Sequence, residues 1–124
     1  MYNEVFGWLW ITLGMASGAL IGMRFHEPEW LGGYSSLRRR MVRLGHISFF
    51  GLGLLNLLYA WSAPHFQLSP LRVQIGSWGM IAGGVLMPLC CGLTAWKERC
   101  RLLFPAPVIC LLVGGVTATL GLMH

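Results

Sequence analysis

The stretch LRRRMVRLGHISFFGLGLLNLLYAWS, residues 37–62, decides the fold because it places four arginines before a long run without charge. No Asp, Glu, Lys or Arg occurs from residue 44 to residue 62. A helix needs about 20 mostly apolar residues to cross the hydrocarbon core of a bilayer. The stretch therefore predicts a membrane-spanning helix with a basic extension at one end.

Three further runs without charge occupy residues 5–23, 73–96 and 102–123. Each must be helical, since four short segments cannot close a barrel and lipid offers no hydrogen-bond partner to an open backbone. Only 10% of the 124 residues are charged, against roughly 25% in a soluble domain. We expect an all-α integral membrane protein: a single domain over residues 1–124, with four helices in an up-down antiparallel bundle.

The positions of Lys and Arg predict the orientation, because these residues are concentrated in cytoplasmic loops. Eight of the nine lie in the first and third loops or at their edges: Arg24, Arg38, Arg39, Arg40, Arg43, Lys97, Arg99 and Arg101. The second loop holds only Arg72. We expect both termini on the non-cytoplasmic side of an inner or plasma membrane.

The basic cluster that precedes the second apolar run also predicts a partner. Its members flank apolar spans and do not alternate with aromatic side chains on a polar face, so we do not expect nucleic acid to bind. Arg38, Arg39, Arg40 and Arg43 are expected to contact anionic lipids such as cardiolipin at the headgroup level. Ser35 or Ser36 is a suitable N-cap, so the helix should begin before its apolar run.

Glycines predict where helices approach closely. Gly14, Gly18 and Gly22 are spaced four residues apart on the first helix, and Gly79 and Gly83 have the same spacing on the third. Small residues on one face of a membrane helix allow another backbone to come near. The neighbour is either a helix of this chain or a helix of another subunit.

His46, just inside the second apolar run, is the main candidate for chemistry. Imidazole is a suitable axial ligand for haem iron or for the magnesium of a chlorophyll-type ring, and helical bundles commonly hold such ligands. Candidates for a second ligand or contact on the same side are His26, Met23 and Met87. His65 and His124 are predicted on the opposite side. The alternative is a structural histidine that bonds to a backbone carbonyl or a lipid phosphate.

Asn56, in the middle of the second span, is the most polar side chain at membrane depth. Such groups usually face the bundle interior and bond across helices. A contact with a cofactor is the alternative that we retain for this residue.

The spans contain no Asp, Glu, Lys or Arg, whereas ion-coupled transporters usually need an ionisable residue of this kind within the membrane. No GxSxG, HExxH or P-loop pattern indicates an enzyme. We therefore expect a non-catalytic accessory or scaffold subunit of a larger membrane complex. The alternatives are an electron-transfer subunit that binds haem b or a chlorophyll-type pigment through His46, and a small-solute or lipid transporter that acts as an oligomer.

Overall fold

Four long helices account for most of the chain. The computed structural model describes residues 1–123 and places α1 at Tyr2–Phe25, α2 at Leu37–Ser62, α3 at Pro70–Trp96 and α4 at Pro105–Met123. Short 3₁₀ segments occupy Trp30–Gly32, Ala63–His65 and Glu98–Leu103. All four long segments have the length and hydropathy of membrane-spanning helices. The prediction of an all-helical fold with four helices able to span a membrane is confirmed.

The start of α2 is fixed by a serine cap. The Oγ atom of Ser36 accepts a hydrogen bond from the backbone N–H of Arg39 at 3.1 Å and donates one to the Leu31 carbonyl at 2.6 Å. The first amides of a helix lack partners within the helix, so this bond favours a helix start at that point. As predicted, α2 therefore begins ahead of its apolar run, at Leu37.

The loop between α1 and α2 turns through a rare backbone conformation. Leu31, Gly32 and Gly33 all have positive φ angles, of 54°, 88° and 95°. Glycine adopts such angles without a steric penalty, whereas leucine pays about 1–2 kcal/mol. This turn is the point from which Trp30 and Tyr34 both reach Arg39 on α2.

Helices that are consecutive in the sequence form the main packing pairs. The pairs α1–α2, α2–α3 and α3–α4 are in extensive contact, α1 meets α3 mainly through the side chains of Asn3, Phe6 and Trp10, and α2 touches α4 only slightly. A Cβ atom on Gly7 would lie 2.7 Å from the Gly53 carbonyl oxygen, and one on Gly79 would lie 2.7 Å from that of Cys110. Glycine at these positions therefore allows direct backbone contact. The arrangement is closer to an open row than to four helices around one core.

A buried polar cluster joins the first three helices. Asn3 Nδ2 donates to Asn56 Oδ1 at 2.8 Å and to the Ser77 carbonyl at 3.2 Å, and Ser77 Oγ donates to Asn3 Oδ1. Asn56 Nδ2 in turn donates to the Leu52 and Met80 carbonyls, at 2.8 and 3.2 Å. Both asparagines are completely buried. Since buried polar groups need partners within the protein, the cluster fixes the relative positions of α1, α2 and α3.

Candidate functional site: the groove beside His46

A groove of about 530 Å³ lies between α1 and α3 and is lined also by α2. The groove lies where α1 and α3, which meet through Asn3 and Trp10, both pack on α2 without closing over His46. Its apolar lining includes Trp10 and Leu13 of α1, Phe49 of α2, and Val85 and Leu89 of α3. The volume falls within the range of about 300–1,000 Å³ that is typical of ligand pockets.

His46 and Ser17 bring polar atoms to this lining. The Nδ1 atom of His46 lies 3.0 Å from Ser17 Oγ, and the same hydroxyl donates to the Gly14 carbonyl at 3.0 Å. A serine hydroxyl has a single proton. When that proton is on the carbonyl side, Ser17 accepts from the Nδ1–H group of His46. The Nε2 atom then carries the free electron pair of the neutral imidazole.

Gly18 leaves the space that the imidazole ring of His46 fills. A Cβ atom at this position would lie 2.8 Å from Cε1 and 3.3 Å from Nε2 of the ring. Phe50 packs edge-on against the same ring, with the centroids 5.5 Å apart and the planes at 88°. Within residues 1–123 the Nε2 atom has no hydrogen-bond partner, and part of its surface is accessible.

The predicted helix-packing glycines fall into two groups. Gly14 faces the Phe50 ring and Gly18 faces His46, while Gly79 and Gly83 face α4. Gly22 is different, since no atom lies within 4 Å of the position that its Cβ would take. The first-helix face therefore packs on α2 over only part of its predicted length.

The predicted second ligands do not join His46. Met23 is 63% exposed, Met87 is half-buried, and His26 is exposed in the segment after α1; none of the three lines the groove. His65 is exposed at the end of α2. The other histidine predicted on that side, His124, lies outside the described residues.

The structure does not support the prediction that Asn56 contacts a cofactor. Its side chain is completely buried, and both its oxygen and its nitrogen are hydrogen-bonded to protein atoms. The interhelical hydrogen bond that we also expected for this residue is present.

The structure does not support the prediction that Arg39 contacts lipid. Its guanidinium group is completely buried and donates hydrogen bonds to the carbonyls of Phe25, Glu27 and Pro28. It also stacks on the ring of Tyr34, with Cζ 3.9 Å from the ring centroid. The side chain therefore closes the C-terminal end of α1 and cannot reach a headgroup.

Arg38 closes the end of a different helix. Its Nε atom donates to the Ala95 carbonyl at 3.0 Å, and its Cζ atom lies 5.2 Å from the centroid of the Trp96 ring. Arg40 and Arg43 are exposed. Arg38 is also exposed, with only its Nε atom bonded, so three of the four arginines predicted to bind lipid keep an exposed charge.

Sequence reasoning missed the roles of Ser17, Asn3 and Trp10. Ser17 lies eight residues before the end of α1, and His46 lies nine residues after the start of α2. The two residues are thus at similar distances from the loop that joins α1 and α2. If these helices run antiparallel, as predicted, that similarity could have predicted the contact between Ser17 and His46. Asn3 precedes the predicted first span, and Trp10 donates its Nε1–H to the Gly84 carbonyl at 2.8 Å. For these two residues no sequence pattern indicates the partner.

Comparison with protein-family models, curated proteins and solved structures gives no match to this chain. Its function is therefore inferred from the geometry of its own residues.

Proposed function

We propose that this protein is a non-catalytic accessory or scaffold subunit of a larger membrane complex. The observation that carries the proposal is that each helix has one glycine with no atom within 4 Å of the position of a Cβ atom: Gly22, Gly51, Gly92 and Gly115, of which Gly92 lines the groove and the other three do not. A glycine inside a helix costs about 1 kcal/mol relative to alanine. These four glycines gain no packing within the chain in return. In membrane helices, small residues are enriched where another helix approaches.

The open row of helices supports the same proposal. α4 packs extensively only on α3, and α1 packs mainly on α2 with side-chain contacts to α3, so each leaves a wide apolar surface uncovered. Neighbouring subunits would cover these surfaces and the open glycines together.

We further propose that the helices alternate in direction, with both termini on the non-cytoplasmic side. Along α1, Gly7, Gly14 and Gly18 approach Gly53, Phe50 and His46 in turn, an order that fits antiparallel helices. The bond from Arg38 to the Ala95 carbonyl supports placing both basic loops at one end. The excess of Lys and Arg supports assigning that end to the cytoplasm.

Purification from the native membrane in a mild detergent tests the subunit proposal. We expect at least one other membrane protein to co-purify at a fixed stoichiometry, measured by quantitative mass spectrometry. Gly115→Leu should lower the amount of this partner without lowering the melting temperature of the chain. Val116→Leu, on the same helix at a 54% exposed position, is the matched control. Recovery of the chain alone, with no stoichiometric partner, would refute the proposal.

A second function, cofactor binding within such a subunit, is favoured by the hydrogen bond between His46 and Ser17. The two functions are compatible, since a subunit of a complex can carry a cofactor. Transport has less support, because no acidic or basic residue other than His46 lines the groove.

A further inference from the structure

We infer that the groove binds a metal-centred tetrapyrrole, either a haem or a chlorophyll-type ring, whose metal is bound by His46 Nε2 and whose opposite axial position the groove leaves free. The inference deepens the cofactor-binding function proposed above and depends on it. Three features of the groove support it: the tautomer of His46, the scarcity of other polar anchors, and the lack of a second ligand.

The tautomer of His46 limits the chemistry of the ligand. In the neutral ring that places the Ser17 proton on the Gly14 carbonyl, the Nδ1–H group of His46 donates to Ser17. Nε2 of the neutral ring is therefore an electron-pair donor and has no proton to offer. A quinone or an ester, which presents only carbonyl acceptors, does not fit this atom. A metal ion or a hydroxyl group does.

The rest of the lining separates these two classes. The indole N–H of Trp10 is already bonded to the Gly84 carbonyl, and the Ser17 hydroxyl is bonded on both sides. A ligand hydroxyl would thus have a single neutral hydrogen bond as its polar anchor, which contributes little in net terms. A metal–imidazole bond is a stronger anchor. A histidine that binds metal almost always donates its other N–H to an oxygen atom, as His46 does to Ser17.

The coordination number follows from the neighbours of His46. Among the other lining residues only Met41 carries a thioether or imidazole. It precedes His46 by five residues on the same helix, a rotation of about 140°. It therefore cannot reach the far face of a ring held by His46, and Met23, Met87 and His26 lie outside the groove. The metal would be five-coordinate, as suits the magnesium of a chlorophyll-type ring or high-spin haem iron.

Two measurements on the full-length chain test the inference. The first is the absorption spectrum of protein purified gently from its native membrane, oxidised and then reduced, with solvent extraction of any pigment. We expect a Soret band with a reduced-minus-oxidised difference for haem, or a strong red band for a chlorophyll-type ring. The second is titration of protein without pigment with ferric protoporphyrin IX and, separately, with a zinc chlorin. We expect one of the two to bind.

Variants identify the ligand atom. His46→Gly should bind the ring at least tenfold more weakly, and added imidazole should restore the spectrum, which a merely structural role would not produce. Ser17→Ala should retain the ring with a shifted spectrum and about 10–100-fold weaker binding. Met87→Leu, outside the groove, is the control and should bind like the wild type. Melting temperatures show whether each variant is folded.

Three outcomes would overturn the inference. They differ in whether they also refute the proposed cofactor-binding function. Ring binding that is unchanged in folded His46→Gly would exclude His46 as the ligand. A metal-free molecule that co-purifies with the wild type but not with His46→Gly would preserve cofactor binding and refute the tetrapyrrole. A flat native spectrum, with neither probe bound by folded protein, would refute cofactor binding altogether. The subunit proposal would stand in each case, since its test measures co-purifying protein.

Discussion

Arg38 and Arg39 are adjacent at the start of α2, yet they bind the ends of two different helices. Arg38 reaches the Ala95 carbonyl at the end of α3, and Arg39 reaches carbonyls at the end of α1. Successive residues on a helix point about 100° apart, so neighbouring positions face opposite partners. The last carbonyls of a helix lack partners within the helix, and a guanidinium group there satisfies them.

Replacing Arg39 tests this structural role. Arg39→Ala leaves three carbonyls without their donor and removes the stacking on Tyr34, so we expect the free energy of unfolding to fall by about 2–4 kcal/mol. Arg39→Lys should recover only part of the loss, because an ammonium group lacks the planar fork of donors. Thermal or denaturant unfolding in detergent measures both variants. Arg40→Ala, at an exposed position, is the control; equal melting of the two alanine variants would contradict the assigned role.

Arg40 and Arg43 retain the lipid-binding prediction that Arg39 loses. Double substitution with glutamine should reduce the number of cardiolipin molecules retained in native mass spectrometry, and high salt should weaken retention by the wild type. Arg72→Gln, in the first turn of α3, is the control because it removes a charge from the other predicted side. Cardiolipin retention that is indifferent to both the substitution and the salt would exclude these side chains.

At the scale of single residues the sequence predicts charge but not burial. All four arginines of the cluster look alike in the sequence, and the turn at Leu31–Gly32–Gly33 determines which of them the loop covers. The same limit applies to Asn56. Its interhelical bond could be expected, but its partner Asn3 lies outside the apolar run from which the first span was predicted.

The elements themselves were more predictable than their contacts. Length and hydropathy are properties of a local segment, so the four spans were found, and the serine cap that starts α2 is equally local. Which face of each helix meets a neighbour depends on the whole packing. Glycine spacing correctly indicated close approach at Gly14, Gly18, Gly79 and Gly83, but it also included Gly22, which meets nothing in the chain.

Two adjacent glycines on α4 test the packing of that helix. A Cβ atom on Gly114 would lie 2.6 Å from Met80 Cγ and 3.1 Å from the Gly76 carbonyl oxygen, whereas one on Gly115 would meet no atom within 4 Å. We expect Gly114→Ala to lower the free energy of unfolding by about 1–3 kcal/mol through overpacking. Gly115→Ala should leave it unchanged or raise it by up to about 1 kcal/mol. Equal effects in unfolding experiments would contradict the assigned faces of α4.

The polar cluster couples α1 to α2, and a double-mutant cycle measures that coupling. Asn3→Ala, Asn56→Ala and the double variant should give a coupling energy of about 0.6 kcal/mol, and no more than about 1.7 kcal/mol, as for other hydrogen bonds within membranes. A cycle between Asn3 and Thr119, an exposed residue of α4 that bonds within its own helix, should give none. Full additivity for Asn3 and Asn56 would show that their bond does not stabilise the protein.

At the scale of the whole molecule, the groove arises because the four helices do not close around one core. Because α1 and α3 both pack on α2 and meet each other through Asn3 and Trp10 without closing over His46, a cleft remains beside His46 that a closed bundle would have filled. A bundle was the default for short loops. Nothing in the loops indicates an open row, since the row depends on how the glycine faces pair in space. The sequence could therefore predict His46 as a candidate residue, but it could not predict the groove beside it.

The orientation of the molecule can be measured from either side of the membrane. Cys100 lies in the third loop and is half-buried, while Cys90 and Cys91 are buried. Since the positive charge of the first and third loops favours the cytoplasm, a charged, membrane-impermeant maleimide should label Cys100 in inside-out vesicles and not in intact cells. Cys100→Ser should abolish this labelling. Gln67→Cys, at an exposed position of the second loop, should react from the opposite side, because its backbone N–H still bonds to the Gly121 carbonyl and keeps the loop in place. Labelling of both cysteines from one side would refute the proposed alternation of the helices, and labelling with the two sides exchanged would preserve the alternation and reverse the orientation.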